Sequence, residues 1–193
     1  MIHVIATSAN IATDYHTRKL SYINGAESVV KHYGVKPYII ECVTATDYLN
    51  EDFVGNSNYS ENQGINEFIN IDEFFKANDS KFADDDAIVK MTLRYEIISS
   101  YLTDFISLNN YEVYCKSSAD LYGAGDQGVH VFLFAMTYQC WKEFLRQVFD
   151  RNTHKDYPIE WQIAEWAKSK NTAYLNQLGI LASPKSLRQS YKV

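Results

Sequence analysis

The chain has 193 residues, 46% of them hydrophobic, with 15 Tyr, 10 Phe and 3 Trp, and a formal net charge of -6. That length suits one domain covering residues 1–193, with enough large apolar side chains for a core that needs neither disulfide nor metal staples. The negative balance argues against nucleic acid or an anionic lipid surface as a general partner. No apolar run reaches the roughly 20 residues that cross a bilayer, and no signal segment opens the chain, so a cytoplasmic location is expected. Cys42, Cys115 and Cys140 lack CxxC spacing and read as small buried residues of a reducing compartment.

In chain order, Ile2 to Ala6 predicts a buried strand, followed by the small polar residues Thr7, Ser8, Ala9 and Asn10. Leu20, Ile23, Ala26, Val29, Val30 and Tyr33 recur at helical intervals until Gly34. Tyr38 to Val43 is a second apolar run. A strand, helix and strand within this length form a crossover unit, so the two strands should be parallel neighbours. Residues 50–64, rich in Asn, Ser and Gly, predict the longest loop, and a helix follows from Ile65 to Phe75. Asp84-Asp85-Asp86 leads into a third strand, Ala87 to Met91, and Ile97/Ile98, Tyr101/Leu102 and Phe105/Ile106 predict a helix.

Tyr111 to Ser117 and Val129 to Met136 read as strands joined by the Gly-rich loop 123–128, a link too short for a helix, so their pairing should be antiparallel and the sheet mixed. Helices are predicted around Trp141 to Phe149, from Asp156 to Lys168 and from Thr172 to Leu178. Residues 184–193 read as a loose tail.

In an open α/β sheet, ligands bind outside the carboxyl ends of the parallel strands. That rule selects Thr7, Ser8, Ala9 and Asn10 after the first strand, Glu41 and Thr44 at the end of the second, and Thr92, Arg94 and Tyr95 at the end of the third. Lys90 and Arg94 are the cations expected to neutralise a diphosphate, and Gly64 and Asn66 open a helix whose free amides suit an anion. Each of these residue types is equally at home in an ordinary loop or on a solvated face. Asp84 to Asp86 precede a strand and belong at the opposite edge, whereas Asp120 and Asp126 follow one and are better placed as ligands of a hard cation, or are plain turn residues. Glu160 is a candidate general base, although exposed helix acids are commoner. His130 reads as a packed or edge residue. No nucleophile elbow, P-loop or GxGxxG is present.

The order of these segments resembles the GT-A glycosyltransferases. It comprises a strand ending in small residues, a helix with Arg18 and Tyr22, a strand ending in Glu41, the stretch Asn62-Gln63-Gly64-Ile65-Asn66-Glu67, and Asp85-Asp86-Ala87-Ile88-Val89-Lys90-Met91-Thr92-Leu93-Arg94-Tyr95. Within that group it is similar to small bacterial and giant-virus members and to the N-terminal glycosyltransferase domain that chlorella viruses use on their capsid glycans. Gln63 stands where Lys is usual, and Leu93 where Gly is usual.

The resemblance implies a GT-A-like α/β fold, a mixed central sheet flanked by helices. It also implies metal-assisted transfer of a sugar from a nucleotide-diphosphate-sugar donor, a UDP-sugar favoured, to a glycan or protein-linked glycan. Ala6, Thr7, Ser8, Arg18, Glu41, Gly64, Asn66, Lys90, Thr92 and Arg94 would hold the donor, and Glu160 and Asp126 would be catalytic. GT-A enzymes commonly hold Mn²⁺ or Mg²⁺ through an Asp-x-Asp motif. No copy stands at the expected strand end, and an Ala-Asp variant occurs at Ala83-Asp84-Asp85 and at Ala119-Asp120, of which position favours Asp120. The alternatives are a non-catalytic module binding carbohydrate or protein through the 50–64 loop, and a flavodoxin-like nucleotide-binding regulator.

Overall fold

The structure is a computed structural model and describes residues 1–9, 15–56, 63–119, 128–150, 158–182 and 191–192. Its centre is a seven-stranded mixed sheet in the order β3-β2-β1-β4-β7-β6-β8. The strands are β1 (Ile2–Ser8), β2 (Tyr38–Glu41), β3 (Phe53–Val54), β4 (Ala87–Thr92), β6 (Val113–Cys115), β7 (Leu133–Thr137) and β8 (Thr172–Tyr174). A smaller sheet joins β5 (Glu96–Ile97), β9 (Ile180–Ala182) and β10 (Tyr191–Lys192) in the order β10-β9-β5.

β1 lies parallel to both β2 and β4, with Ser8 paired to Glu41, Ile5 to Lys90 and Thr7 to Thr92. β7 runs antiparallel to both β4 and β6, as the short link between the two runs requires, and β8 is parallel to β6. The carboxyl ends of β1, β2, β4, β6 and β8 therefore share one edge.

Both faces of the sheet are covered, which is why its central strands read as continuous apolar runs rather than alternating ones. Ile5, Ile40, Ile88 and Phe134 face a cluster built by α2 (Gln63–Asn78), α4 (Tyr138–Asp150) and α5 (Ile159–Ala167), with Phe68, Phe74, Trp141, Phe144 and Trp166 at its heart. Val4, Ala6, Val89 and Met91 face the other cluster, which includes Tyr22 and Val29 of α1 (Tyr15–Tyr33) and Leu102 and Ile106 of α3 (Tyr101–Leu108). α1 stops at Gly34, whose φ of 70° suits a residue without Cβ. Gly25 lets α1 lie against the turn after β4, because a Cβ there would come within 2.3 Å of the Leu93 carbonyl oxygen.

Several expectations need correction, among them the loop read over residues 50–64, in which Phe53 and Val54 pair with Ile40 and Glu41 as β3. Thr172 to Leu178 is not a helix: Thr172, Ala173 and Tyr174 pair with Val113, Tyr114 and Cys115, and a parallel sheet neighbour outweighs a weak local helical pattern. Ile97 belongs to β5 and the helix begins only at Tyr101, since Ile97 pairs with Ile180 and the Ile98 N–H bonds the Gly179 carbonyl at 2.8 Å. The run from Val129 touches its neighbour first through an isolated bridge to Ser117 and becomes a regular strand only at Leu133. α1 begins at Tyr15, ahead of the apolar period starting at Leu20. In the stretch read as a tail, Tyr191 and Lys192 pair with Ala182 and Leu181.

Candidate functional site

Register decides which side chains meet at the carboxyl edge. Successive strand residues point to opposite faces, so Ile5 and Thr7 share a face with their partners Lys90 and Thr92. That face is covered by α2, and Glu67, in its second turn, lies above them.

Lys90 is fully buried, and an ammonium in that position demands partners. It lies 2.9 Å from Glu67 Oε1, donates to Thr92 Oγ1 at 2.9 Å and to the Val131 carbonyl at 2.7 Å, and its ammonium sits 6.0 Å from the centre of the Phe68 ring. Its three N–H groups are thereby all engaged. Thr7 Oγ1 donates to the same Glu67 oxygen and approaches the Met91 carbonyl at 3.1 Å, while Thr92 Oγ1 lies 3.4 Å from Glu67 Oε1.

The opposite face of the same edge carries a second cluster. Ser8 Oγ donates to Glu41 Oε2 at 2.6 Å, and Glu41 Oε1 accepts from the Val43 and Thr44 N–H groups at 2.9 and 3.3 Å. Glu41 is fully buried, and its carboxylate turns the chain leaving β2. Backbone bonds tie the three strand ends together, from Cys42 N to the Ser8 carbonyl and from Leu93 N to the Thr7 carbonyl, both 2.9 Å. Beyond β1, the Tyr22 hydroxyl accepts from Ala9 N and donates to the Ala9 carbonyl at 3.2 and 3.1 Å, and Arg18 Nη1 donates to that carbonyl at 3.0 Å. Arg94 is exposed on the turn after β4.

The structure thus gathers Ala6, Thr7, Ser8, Arg18, Glu41, Lys90, Thr92 and Arg94 at one edge. Gly64 and Asn66 stand in the first turns of α2; Asn66 is buried, and its carbonyl accepts from Asn70 Nδ2 at 2.7 Å. Asn70 in turn bonds both Asn56 N and the Asn56 carbonyl, fixing the chain after β3. Glu160 sits apart, in the first turn of α5 by the carboxyl end of β6, and its carbonyl oxygen lies 3.3 Å from Val129 N. Gly128 permits that approach: a Cβ there would lie 2.9 Å from both Ser118 Oγ and Trp161 Cδ1. Asn10, Asn62, Asp120, Asp126, loop residues 57–62 and 123–127 and the tail residues 184–190 lie outside the described residues.

Glu67 completes the first cluster, a role that the 62–67 stretch does not reveal in sequence. The available signal was Lys90 itself, a cation within the apolar run Ala87 to Met91 that must have an acid opposite.

At the amino edge, Asp86 accepts from Ala83 N at 2.8 Å and lies 2.6 Å from the Met1 ammonium and 3.1 Å from His3 Nε2. Burial alone would raise its pKa, but those three partners together hold it below the ordinary aspartate value. Asp84 pairs with Lys142 at 2.5 Å, so these two acids brace the entry to β4, remote from the strand ends above. A cleft of about 700 Å³ also opens at this edge, lined by Tyr33, Asp85, Asp104, Asn110 and Tyr111 among others. Its charged side chains, Asp85 and Asp104, are acidic, the wrong sign for a diphosphate, and the Met1 ammonium beside them is already paired with Asp86. Burial pushes the thiols of Cys42, Cys115 and Cys140 up, Cys115 to about 12, so none is a ready nucleophile. His130 is buried against Phe132, at 4.6 Å between ring centres.

The fit of a divalent cation can be judged from the acids at the carboxyl edge. Both Glu41 oxygens and one Glu67 oxygen already accept protein hydrogen bonds, and no group of three potential ligands occurs among the described residues. The described residues therefore do not by themselves form a Mn²⁺ or Mg²⁺ site. Among them, no helix is long and apolar enough to cross a membrane.

No known family model matches the sequence, and no curated protein does. Solved structures are similar in fold. Glycosyltransferase GlyE of Streptococcus pneumoniae aligns with a TM-score of 0.55 at 13% identity over 89% of this chain, which spans only 44% of GlyE. A nucleoside-diphosphate-sugar pyrophosphorylase of Vibrio cholerae aligns with a TM-score of 0.53 at 12% identity, over 90% of this chain and 91% of its own. Mouse xyloside xylosyltransferase 1 gives a TM-score of 0.51 at 8% identity, over 91% of this chain and 85% of its own. The seven-stranded mixed sheet flanked by helices is thus a GT-A-type fold.

Proposed function

We propose that the carboxyl edge of the sheet binds a nucleotide-diphosphate-sugar, a UDP-sugar favoured, and that the chain transfers the sugar to a glycan or protein-linked glycan. The observation that carries this reading is the convergence of two bonded clusters, Thr7-Glu67-Lys90-Thr92 and Ser8-Glu41, at the tied ends of β1, β2 and β4. In this reading the strand ends hold the nucleoside. Arg18 and Arg94 supply positive charge toward the diphosphate, and Lys90 acts through Glu67 and Thr92. The acceptor hydroxyl oxygen bonds to the anomeric carbon as the carbon–oxygen bond to the diphosphate breaks. Glu160 takes the hydroxyl proton, and Asp126 is kept as a further catalytic carboxylate. The narrower likeness to capsid-glycan enzymes of chlorella viruses bears on the acceptor and belongs to the same proposal.

Calorimetric titration with UDP-, GDP- and CMP-sugars, with and without Mn²⁺, tests it. Binding of one nucleotide class is expected, and silence toward all three defeats the reading. Asp120 is the proposed cation ligand, so Asp120→Ala should abolish any Mn²⁺-dependent part of the binding. Loss on Asp84→Ala instead would move the site to the other edge.

The nearly full-length match to the Vibrio pyrophosphorylase favours a second reading, nucleotidyl transfer at the same edge. Incubation of the bound nucleotide-sugar with pyrophosphate separates the two, since release of sugar 1-phosphate and a nucleoside triphosphate belongs to nucleotidyl transfer alone.

A further inference from the structure

The Glu67 carboxylate is anchored through one oxygen. Oε1 meets Thr7 Oγ1, the Lys90 ammonium at 2.9 Å and Thr92 Oγ1 at 3.4 Å, whereas Oε2 has no hydrogen-bond partner among the described residues. The side chain keeps 20% of its surface exposed, above a Lys90 that has none. A carboxylate fixed on one side and open on the other is a pre-organised acceptor, because its orientation is set before any ligand arrives. The charge balance narrows the ligand. Lys90 already compensates Glu67, so the open oxygen does not call for another cation, and it repels a phosphate. Neutral hydroxyl donors fit it, and two adjacent hydroxyls can share a carboxylate.

We propose that Glu67 Oε2 accepts hydrogen bonds from a vicinal diol of the nucleotide-sugar, which makes Glu67 a specificity-determining residue of the donor site. This rests on the donor-binding reading above. Ribose and the transferred hexose both carry such diols.

The test measures binding of UDP, 2′-deoxy-UDP and 3′-deoxy-UDP, and of UDP-glucose, UDP-2-deoxyglucose and UDP-3-deoxyglucose, to the full chain, to Glu67→Gln and to Glu67→Asp. Removing the recognised hydroxyl should weaken binding to the wild type roughly tenfold to hundredfold, as for a hydrogen bond to a charged group. A loss with the deoxy-UDP forms assigns the ribose, and a loss confined to the deoxyglucose forms assigns the hexose. In both variants the same comparison should shrink to about twofold or less. Glu67→Asp keeps a carboxylate for Lys90 while withdrawing it by one methylene, so it preserves the test if Glu67→Gln fails to fold. A purely structural Glu67 would weaken every ligand alike and leave the deoxy ratio untouched, and that result overturns the inference. So does a wild type that ignores every missing hydroxyl while still binding UDP, an outcome that leaves the donor-binding reading standing. If neither UDP nor UDP-glucose binds, the donor reading, at least for uridine nucleotides, and this inference fall together.

Discussion

Removing the Lys90 ammonium tests the central cluster most directly. Lys90→Met keeps most of the side-chain volume beside Phe68 but strips the buried charge from Glu67 and the donors from Thr92 and Val131. Breaking one member of a buried ion pair costs about 3–5 kcal/mol. Glu67 retains 20% exposure and the Thr7 hydroxyl, so water offsets part of that loss, and about 3 kcal/mol is expected. For a domain of this size, that corresponds to a fall in melting temperature of roughly 6–12 °C. Lys90→Met combined with Glu67→Leu leaves no orphaned charge and should recover to within about 1 kcal/mol of the wild type. Both are read by thermal and urea unfolding followed by circular dichroism. A single variant that melts within about 2 °C of wild type, or a double variant no better than the single, would refute the reasoning.

Gly25→Ala should cost about 3 kcal/mol or more, because the added carbon meets the backbone oxygens of Leu93 and Tyr95, which no rotamer change can move; urea unfolding reads it. Gly128→Ala meets side-chain atoms of Ser118, Trp161 and Glu160 instead, so a cost of only about 1 kcal/mol is expected, with acceptor KM raised more than donor affinity is lowered. A change in donor affinity alone would detach Glu160 from the acceptor. Asp86 titrates below its ordinary value of 3.8 in the folded state, so it contributes stability that is fully present above that pH and is lost as the pH falls through the depressed value. The melting temperature of Asp86→Asn should therefore depend less steeply on pH below about pH 4 than that of wild type, and parallel slopes would count against the assignment.

Most of the first half of the chain was legible because its signals are local, although β3 inside the 50–64 run was not. The crossover from β1 through α1 to β2 fits within a short stretch, and strands buried on both faces betray themselves as unbroken apolar runs. Thr172 to Tyr174 and Glu96 to Ile97 were not legible, because each becomes a strand only by pairing with a segment far away in sequence, β6 for the former and β9 for the latter. At the candidate site, the strand-end rule found Thr7, Ser8, Glu41 and Thr92, and the search for a cation found Lys90. It did not divide them between two faces. That division follows from register, since Thr7 pairs with Thr92 and Ser8 with Glu41, and register is a property of the assembled sheet. Glu67 lies in the 62–67 stretch, and its role follows only from α2 covering the Lys90 face.

The small sheet has a consequence for biosynthesis. The turn bearing Arg94 leads directly into β5, whose strand partner among the described residues is β9, a segment the ribosome delivers long after β5 itself. Ile97 N already has the Ser28 hydroxyl of α1 at 2.9 Å, but until Gly179 and β9 emerge the other side of β5 presents bare backbone groups, the Ile98 N–H among them, the kind of edge that recruits strands from other molecules. Nascent chains arrested short of Ile180 should therefore be those most dependent on chaperones.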